Sequence, residues 1–167
     1  ALLYDGRDDE EDEYEYDELQ EIMQDITAYG NVAFKTIDTN TYSSTESFSS
    51  SYYTQLFGSS SGTIFVIDMD YRNIWIHSNG AIYKTITSSY ADTITDNVYT
   101  YASDGDYFSC ASKVFEQELA LLKGQKIRQP MKYISNALLA IILAVIINYF
   151  IVKLYSRTPK ASDNEIL

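Results

Sequence analysis

Twenty consecutive residues without a charge, "YISNALLAIILAVIINYFIV" from Tyr133 to Val152, constrain this chain more than any other stretch. At about 1.5 Å per residue such a helix crosses a hydrocarbon core about 30 Å thick. Lys132 and Lys153 bracket the run, with Tyr133 at one end and Tyr149 and Tyr155 near the other, the residues that anchor a helix at a membrane interface. A buried core helix would show a polar face over so many turns. The spacing therefore predicts a single transmembrane helix over 133–152. Basic residues flank both sides (Lys123, Lys126, Arg128 and Lys132 before; Lys153, Arg157 and Lys160 after), so the positive-inside count leaves the orientation open.

The 132 residues ahead of the span are enough for one domain. Apolar residues make up 46% of the chain, the ordinary share for a packed core. The formal net charge is −12, and twelve of the 24 acids lie between Asp5 and Asp25. A chain this acidic is repelled by a nucleic-acid backbone, which excludes nucleic acid as a partner. The acidic front, residues 1–13, reads as a solvated arm. One cysteine, Cys110, excludes an intrachain disulfide and a multi-cysteine zinc cluster, and its helical context reads as a small buried hydrophobe. The single histidine, His77, sits inside a strand pattern, which leaves no histidine-based triad without it.

Periodicity supplies the elements. Leu19, Ile22, Met23 and Ile26 keep a helical spacing that Gly30 ends, and "NVAFKTID" (31–38) reads as a strand. Ser43 and Glu46 form a capping box for a second helix with Phe48, Tyr52, Leu56 and Phe57 on its apolar face. "TIFVI" (63–67) is apolar on both faces, the mark of a central strand. "NIWIHS" follows after a few turn residues, so it must return antiparallel as a hairpin. Ser89 with Asp92 opens a third helix, carrying Tyr90, Ile94, Val98 and Tyr101, and a fourth runs from Tyr107 to Lys123. The order α-β-α-β-β-α-α predicts an α/β fold: a three-layer α/β/α sandwich with a small mixed sheet, followed by the transmembrane helix. The domain covers 14–124, a linker with Pro130 covers 125–132, and 153–167 forms a tail. Ser162 and Glu165 make a capping box followed only by Ile-Leu, so the tail is expected to be truncated.

Asp68-Met-Asp70 closes the central strand. Two carboxylates so placed fit a phosphatase nucleophile with its acid, hard-cation ligands, or a turn. The first reading resembles the opening motif of haloacid-dehalogenase phosphatases, but "YRN" turns the chain straight back where that superfamily carries a longer loop or crossover. Parallel strands joined by the second helix would put Asp38 and Asp68 at one carboxyl edge, where open α/β sheets bind ligands. The third helix would return Asp104 and Asp106, in "SDGD", to the same rim. Asp38, Asp68, Asp70, Asp104 and Asp106 are thus candidate oxygen ligands for a divalent cation, calcium or magnesium. Competing roles exist for three of them: Asp106 as a helix cap, Asp70 as a turn residue and Asp38 as the start of the loop "IDTNT".

The stretches "YGNVAFKTIDTN", "SGTIFVIDMDYRNIWIHSNG" and "ADTITDNVYTYASDGDYFSCASKVFEQEL", with the apolar helix after them, resemble the TPM domain family over Leu19 to Gly124. The chain looks most like its membrane-anchored bacterial members. The resemblance implies an α/β/α sandwich facing away from the cytoplasm, hence a single-pass protein of the cell membrane with the domain outside and Lys153 onward inside. It implies one of two roles: an accessory or interaction module for membrane or envelope proteins, with a bound divalent cation, or a metal-assisted acid phosphatase acting on phosphomonoesters. In place of the family's glutamate-bearing loop after the hairpin this chain has "SNGAIYKTIT", and no catalytic residue carries over.

Overall fold

The computed structural model describes residues 2–3 and 13–156. Most of the acidic arm (4–12) and the tail with its Ser162 to Glu165 capping box lie outside the described residues. The chain divides into two units, Ala1–Gln129 and Pro130–Leu167.

The first unit contains β1 (Leu2–Leu3), α1 (Glu13–Ile26), β2 (Asn31–Ile37), α2 (Thr45–Phe57), β3 (Gly62–Asp68), β4 (Asn73–Asn79), α3 (Ser88–Asp104) and α4 (Tyr107–Leu122). The strands lie in the order β1-β2-β3-β4. β2 runs parallel to β1 and β3, and β4 runs antiparallel to β3. The helical crossover and the short hairpin therefore set strand directions as the connection lengths require. β1, the pairing of Leu2 and Leu3 with Val32 and Ala33, falls inside the stretch read as an arm.

Alternation divides the strands between two cores. Val32, Phe34, Phe65, Ile67, Ile74 and Ile76 face α1, α3 and α4. Ala33, Ile37, Ile64 and Val66 face α2 alone. β3 is buried along its whole length, as a central strand covered on both faces must be. The sandwich is thus asymmetric, with one helix on one side and three on the other.

The second helix is displaced by one residue from its sequence reading. Its cap is Ser44, whose side chain accepts from the Ser47 N–H, rather than Ser43. Its buried stripe is Thr45, Ser49 and Tyr53, while Phe48, Tyr52, Leu56 and Phe57 are only partly covered. Two small hydroxyls can be buried because each has a partner: Ser49 Oγ donates to the Thr45 carbonyl at 2.8 Å, and Thr45 reaches Asp68. For α3 the cap is Thr87, accepting from the Tyr90 N–H, rather than Ser89.

Glu118 of α4 is fully buried. Thr63 Oγ1 donates to its Oε1 at 2.9 Å and accepts from Ser78 Oγ at 3.0 Å, a chain that ties α4 to β3 and β4. Oε2 has no partner among the described residues. Burial raises the carboxyl pKa to about 8 against the opposing effect of the Thr63 hydrogen bond.

At the amino end of β3 the backbones close on one another. A Cβ on Gly62 would meet the Asn31 carbonyl oxygen at 2.6 Å, and one on Gly80 would meet Ser61 Cα at 2.7 Å. Glycine is what lets β2, β3 and the turn after β4 approach so closely.

The second unit is α5, Pro130–Tyr155, 26 residues with no charge between Lys132 and Lys153. Proline suits a first helical position, where its missing N–H costs nothing. At about 39 Å the helix is long and apolar enough to cross a membrane.

Candidate functional site: the rim of the sheet

β3 delivers Asp68 to the carboxyl edge, and the chain then turns through Met69–Arg72 into β4. The carboxylate is 1% exposed. Its Oδ1 accepts the backbone N–H groups of Asp70 and Tyr71, each at 3.1 Å, an Asx turn that shapes the hairpin. Its Oδ2 accepts Asn40 Nδ2 at 2.6 Å and Thr45 Oγ1 at 2.8 Å. Four donors fill the acceptor capacity of a carboxylate. Asp68 therefore fastens the β2–α2 loop and the first turn of α2 to the hairpin.

Neighbouring bonds extend the clamp. Asp70 Oδ2 accepts the Asn40 backbone N–H at 2.9 Å, and Asn40 Oδ1 accepts the Tyr42 N–H at 2.8 Å. Tyr71 donates its hydroxyl to the Tyr42 carbonyl at 2.9 Å. Asp70 thus serves the hairpin and the loop beside it. Asp106 caps α4, accepting the Ser109 N–H at 3.0 Å. Asp38 is exposed just beyond β2.

Of the five candidate ligands, Asp68 and Asp104 line one cleft of about 450 Å³; Asp38, Asp70 and Asp106 are not among its lining residues. The rest of its wall includes Arg72, Tyr99, Ser103 and Tyr107. Among the described residues no group of three or more His, Cys, Asp or Glu is arranged to hold a metal ion. The topological reading does bring the end of α3 beside the end of β3.

Sequence reasoning does not reach Arg72, which the structure adds to this site. It has φ of +52°, and it is the one non-glycine residue with positive φ among the described residues. A β-carbon in that region costs about 1–2 kcal/mol. The dipeptide Arg72-Asn73 at a hairpin end is the available signal, because a four-residue loop favours a left-handed residue before the returning strand.

The chain's single histidine and single cysteine lie outside this cleft. His77 of β4 packs against the Tyr53 ring with centroids 5.0 Å apart, and burial lowers its pKa while Glu46 works to raise it. Cys110 is buried, and that burial pushes its thiol up to about 12, far from the thiolate form a nucleophile needs. The cleft instead offers a guanidinium, a carboxylate, phenols and a hydroxyl, a set that recognises polar and charged groups by hydrogen bonding.

The family model of the TPM domain matches residues 10–119. No curated protein matches the chain. The fold is similar to the solution NMR structure of the N-terminal domain of a protein from P. gingivalis, with a TM-score of 0.62 and 13% identity over 74% of this chain and 81% of that one. At that identity the likeness is one of fold.

Proposed function

The chain belongs to the TPM domain family, and from that premise we propose that it is a single-pass cell-membrane protein whose domain lies outside the cytoplasm. There the domain acts as an interaction or accessory module for membrane or envelope proteins, and the rim cleft is the contact. The observation that carries this reading is the use of Asp68: the carboxylate at the head of the central strand is filled by four donors, so it organises the rim instead of attacking a substrate. Arg72 and Asp104 remain to meet a partner's charged groups.

A divalent cation belongs to this proposal through Asp104, with Asp38, Asp70 and Asp106 as the further exposed carboxylates of the rim. Calorimetric titration of the full chain in nanodiscs with calcium and with magnesium tests it, repeated on Asp104→Asn. Heats unchanged by that substitution remove the cation from the cleft.

The contact itself is tested by co-purification from detergent-solubilised membranes. Arg72→Glu is expected to lose the proteins retained by the wild type, and an unchanged set overturns the reading. Protease added to intact cells should reach the domain; a protected domain reverses the orientation.

The alternative, a metal-assisted acid phosphatase, draws on Arg72, whose guanidinium suits a phosphomonoester, and on the phosphatase role that membership of the TPM family implies. Hydrolysis of p-nitrophenyl phosphate that falls with both Arg72→Ala and Asp104→Asn would establish it. Turnover indifferent to both removes it.

A further inference from the structure

β4 is an edge strand: among the described residues nothing pairs with its outer side. Which of its backbone groups face outward follows from the ladder beside it. Asn31 donates its N–H to the Ser61 carbonyl and Met69 donates to the Ile37 carbonyl. The odd-numbered residues of β3 therefore bond toward β2, and Gly62, Ile64, Val66 and Asp68 bond toward β4. Their partners are Asn79, His77, Trp75 and Asn73. Alternation then turns the N–H and C=O groups of Ile74, Ile76 and Ser78 away from the sheet. Ile74 satisfies its own N–H with the Asn73 side chain at 3.0 Å, as an outward-facing group at a strand end would.

A groove of about 400 Å³ runs along this edge. Trp75 and Glu46 of α2 line one wall, and Ala91, Asp92 and Thr95 of α3 line the other. Both walls thus carry an exposed carboxylate. The chain as a whole has a net charge of −12, so a second copy presented edge to edge meets like charge, whereas a cationic strand meets opposite charge on each face.

We propose that the outer edge of β4 is a strand-addition site for an extended, lysine- or arginine-bearing peptide segment. Main-chain hydrogen bonds to Ile76 and Ser78 would hold the segment, and Glu46 and Asp92 would select its charge. This surface meets the rim cleft at Asn73 and Ile74 but uses neither Arg72 nor Asp104. It goes beyond the rim reading and can fail or stand without it.

Trp75 is the only tryptophan in the chain, so its emission reports on the groove. The probe is the acetylated, amidated peptide Lys-Val-Lys-Val-Lys-Val-Lys, titrated into the full chain in phosphatidylcholine nanodiscs. Saturable change in Trp75 emission is expected, with amide exchange at Ile76 and Ser78 slowed at least tenfold. The same peptide with every backbone amide N-methylated keeps its charge and loses its donors; it should bind at least tenfold more weakly. Glu46→Lys and Asp92→Lys should each weaken binding, and Arg72→Ala should not. Equal affinity for the methylated peptide reduces the contact to charge alone and overturns strand addition. Unslowed exchange at Ile76 and Ser78 also overturns it. Binding lost with Arg72→Ala places the peptide at the rim and overturns the edge site while leaving the rim reading intact.

Discussion

Asn40 holds Asp68 and Asp70 at once: its side chain donates to Asp68 Oδ2 at 2.6 Å, and its backbone N–H donates to Asp70 Oδ2 at 2.9 Å. One buried asparagine thereby joins the loop after β2 to both acids of the hairpin.

Asp68→Ala is expected to cost about 3 kcal/mol or more of stability, because it strands the Asn40 amide and the Thr45 hydroxyl without an acceptor. Asp68→Asn should cost about 1–3 kcal/mol, since one amide face presents donors to donors. Urea unfolding checks both. An Asp68→Asn protein as stable as the wild type would deny the carboxylate its structural role.

Arg72→Gly should separate stability from recognition. Glycine removes the β-carbon penalty of the left-handed turn, about 1–2 kcal/mol, against an entropic cost of about 0.5–1 kcal/mol. The expected net gain is about 0.5–1 kcal/mol by urea midpoint, with the membrane partners of the rim lost in co-purification. The pattern is that of strain kept for function.

Glu118 gives the fold a pH dependence opposite to that of most carboxylates. Its pKa is about 8 when folded, above its ordinary 4.5. Between those values the unfolded chain releases the proton and the folded chain keeps it, so stability falls as pH rises from about 4.5 to 8 and levels off above. The slope is at most about 1.4 kcal/mol per pH unit. Glu118→Gln keeps an acceptor for Thr63 and should flatten the slope, which urea titrations at pH 5 and pH 8 measure.

Cys110 should resist iodoacetamide in the folded protein, because burial both hides the thiol and holds its pKa up to about 12. Labelling should appear only with urea and track unfolding; rapid labelling in buffer would contradict the packing around α4.

The topology was readable because connection length dictates strand direction, and β2, β3 and β4 run as those lengths require. β1 was not: two leucines ahead of an acidic stretch carry no period. The face of α2 was misplaced by one residue because Thr45 and Ser49 are buried on hydrogen bonds that apolar periodicity does not register. Glu118 stands in "FEQEL", which reads as a solvated charge until Thr63 arrives from 55 positions away. At the rim, Asp68 and Asp104 followed from chain direction alone, whereas the clamp on Asp68 depends on Asn40 and Thr45, long-range partners without a local signature.

The glycine contacts beneath β3 divide the domain into a fixed half and a permissive half. With backbone packed on backbone at Gly62 and Gly80, that end has no volume in which a new side chain could be tried. A sandwich built this way cannot change what it recognises at this floor, but it can along the opposite rim, its hairpin and the outer edge of β4. Substitutions selected for a new ligand should accumulate there, and those at the floor should be lost to misfolding before they are ever tested for binding.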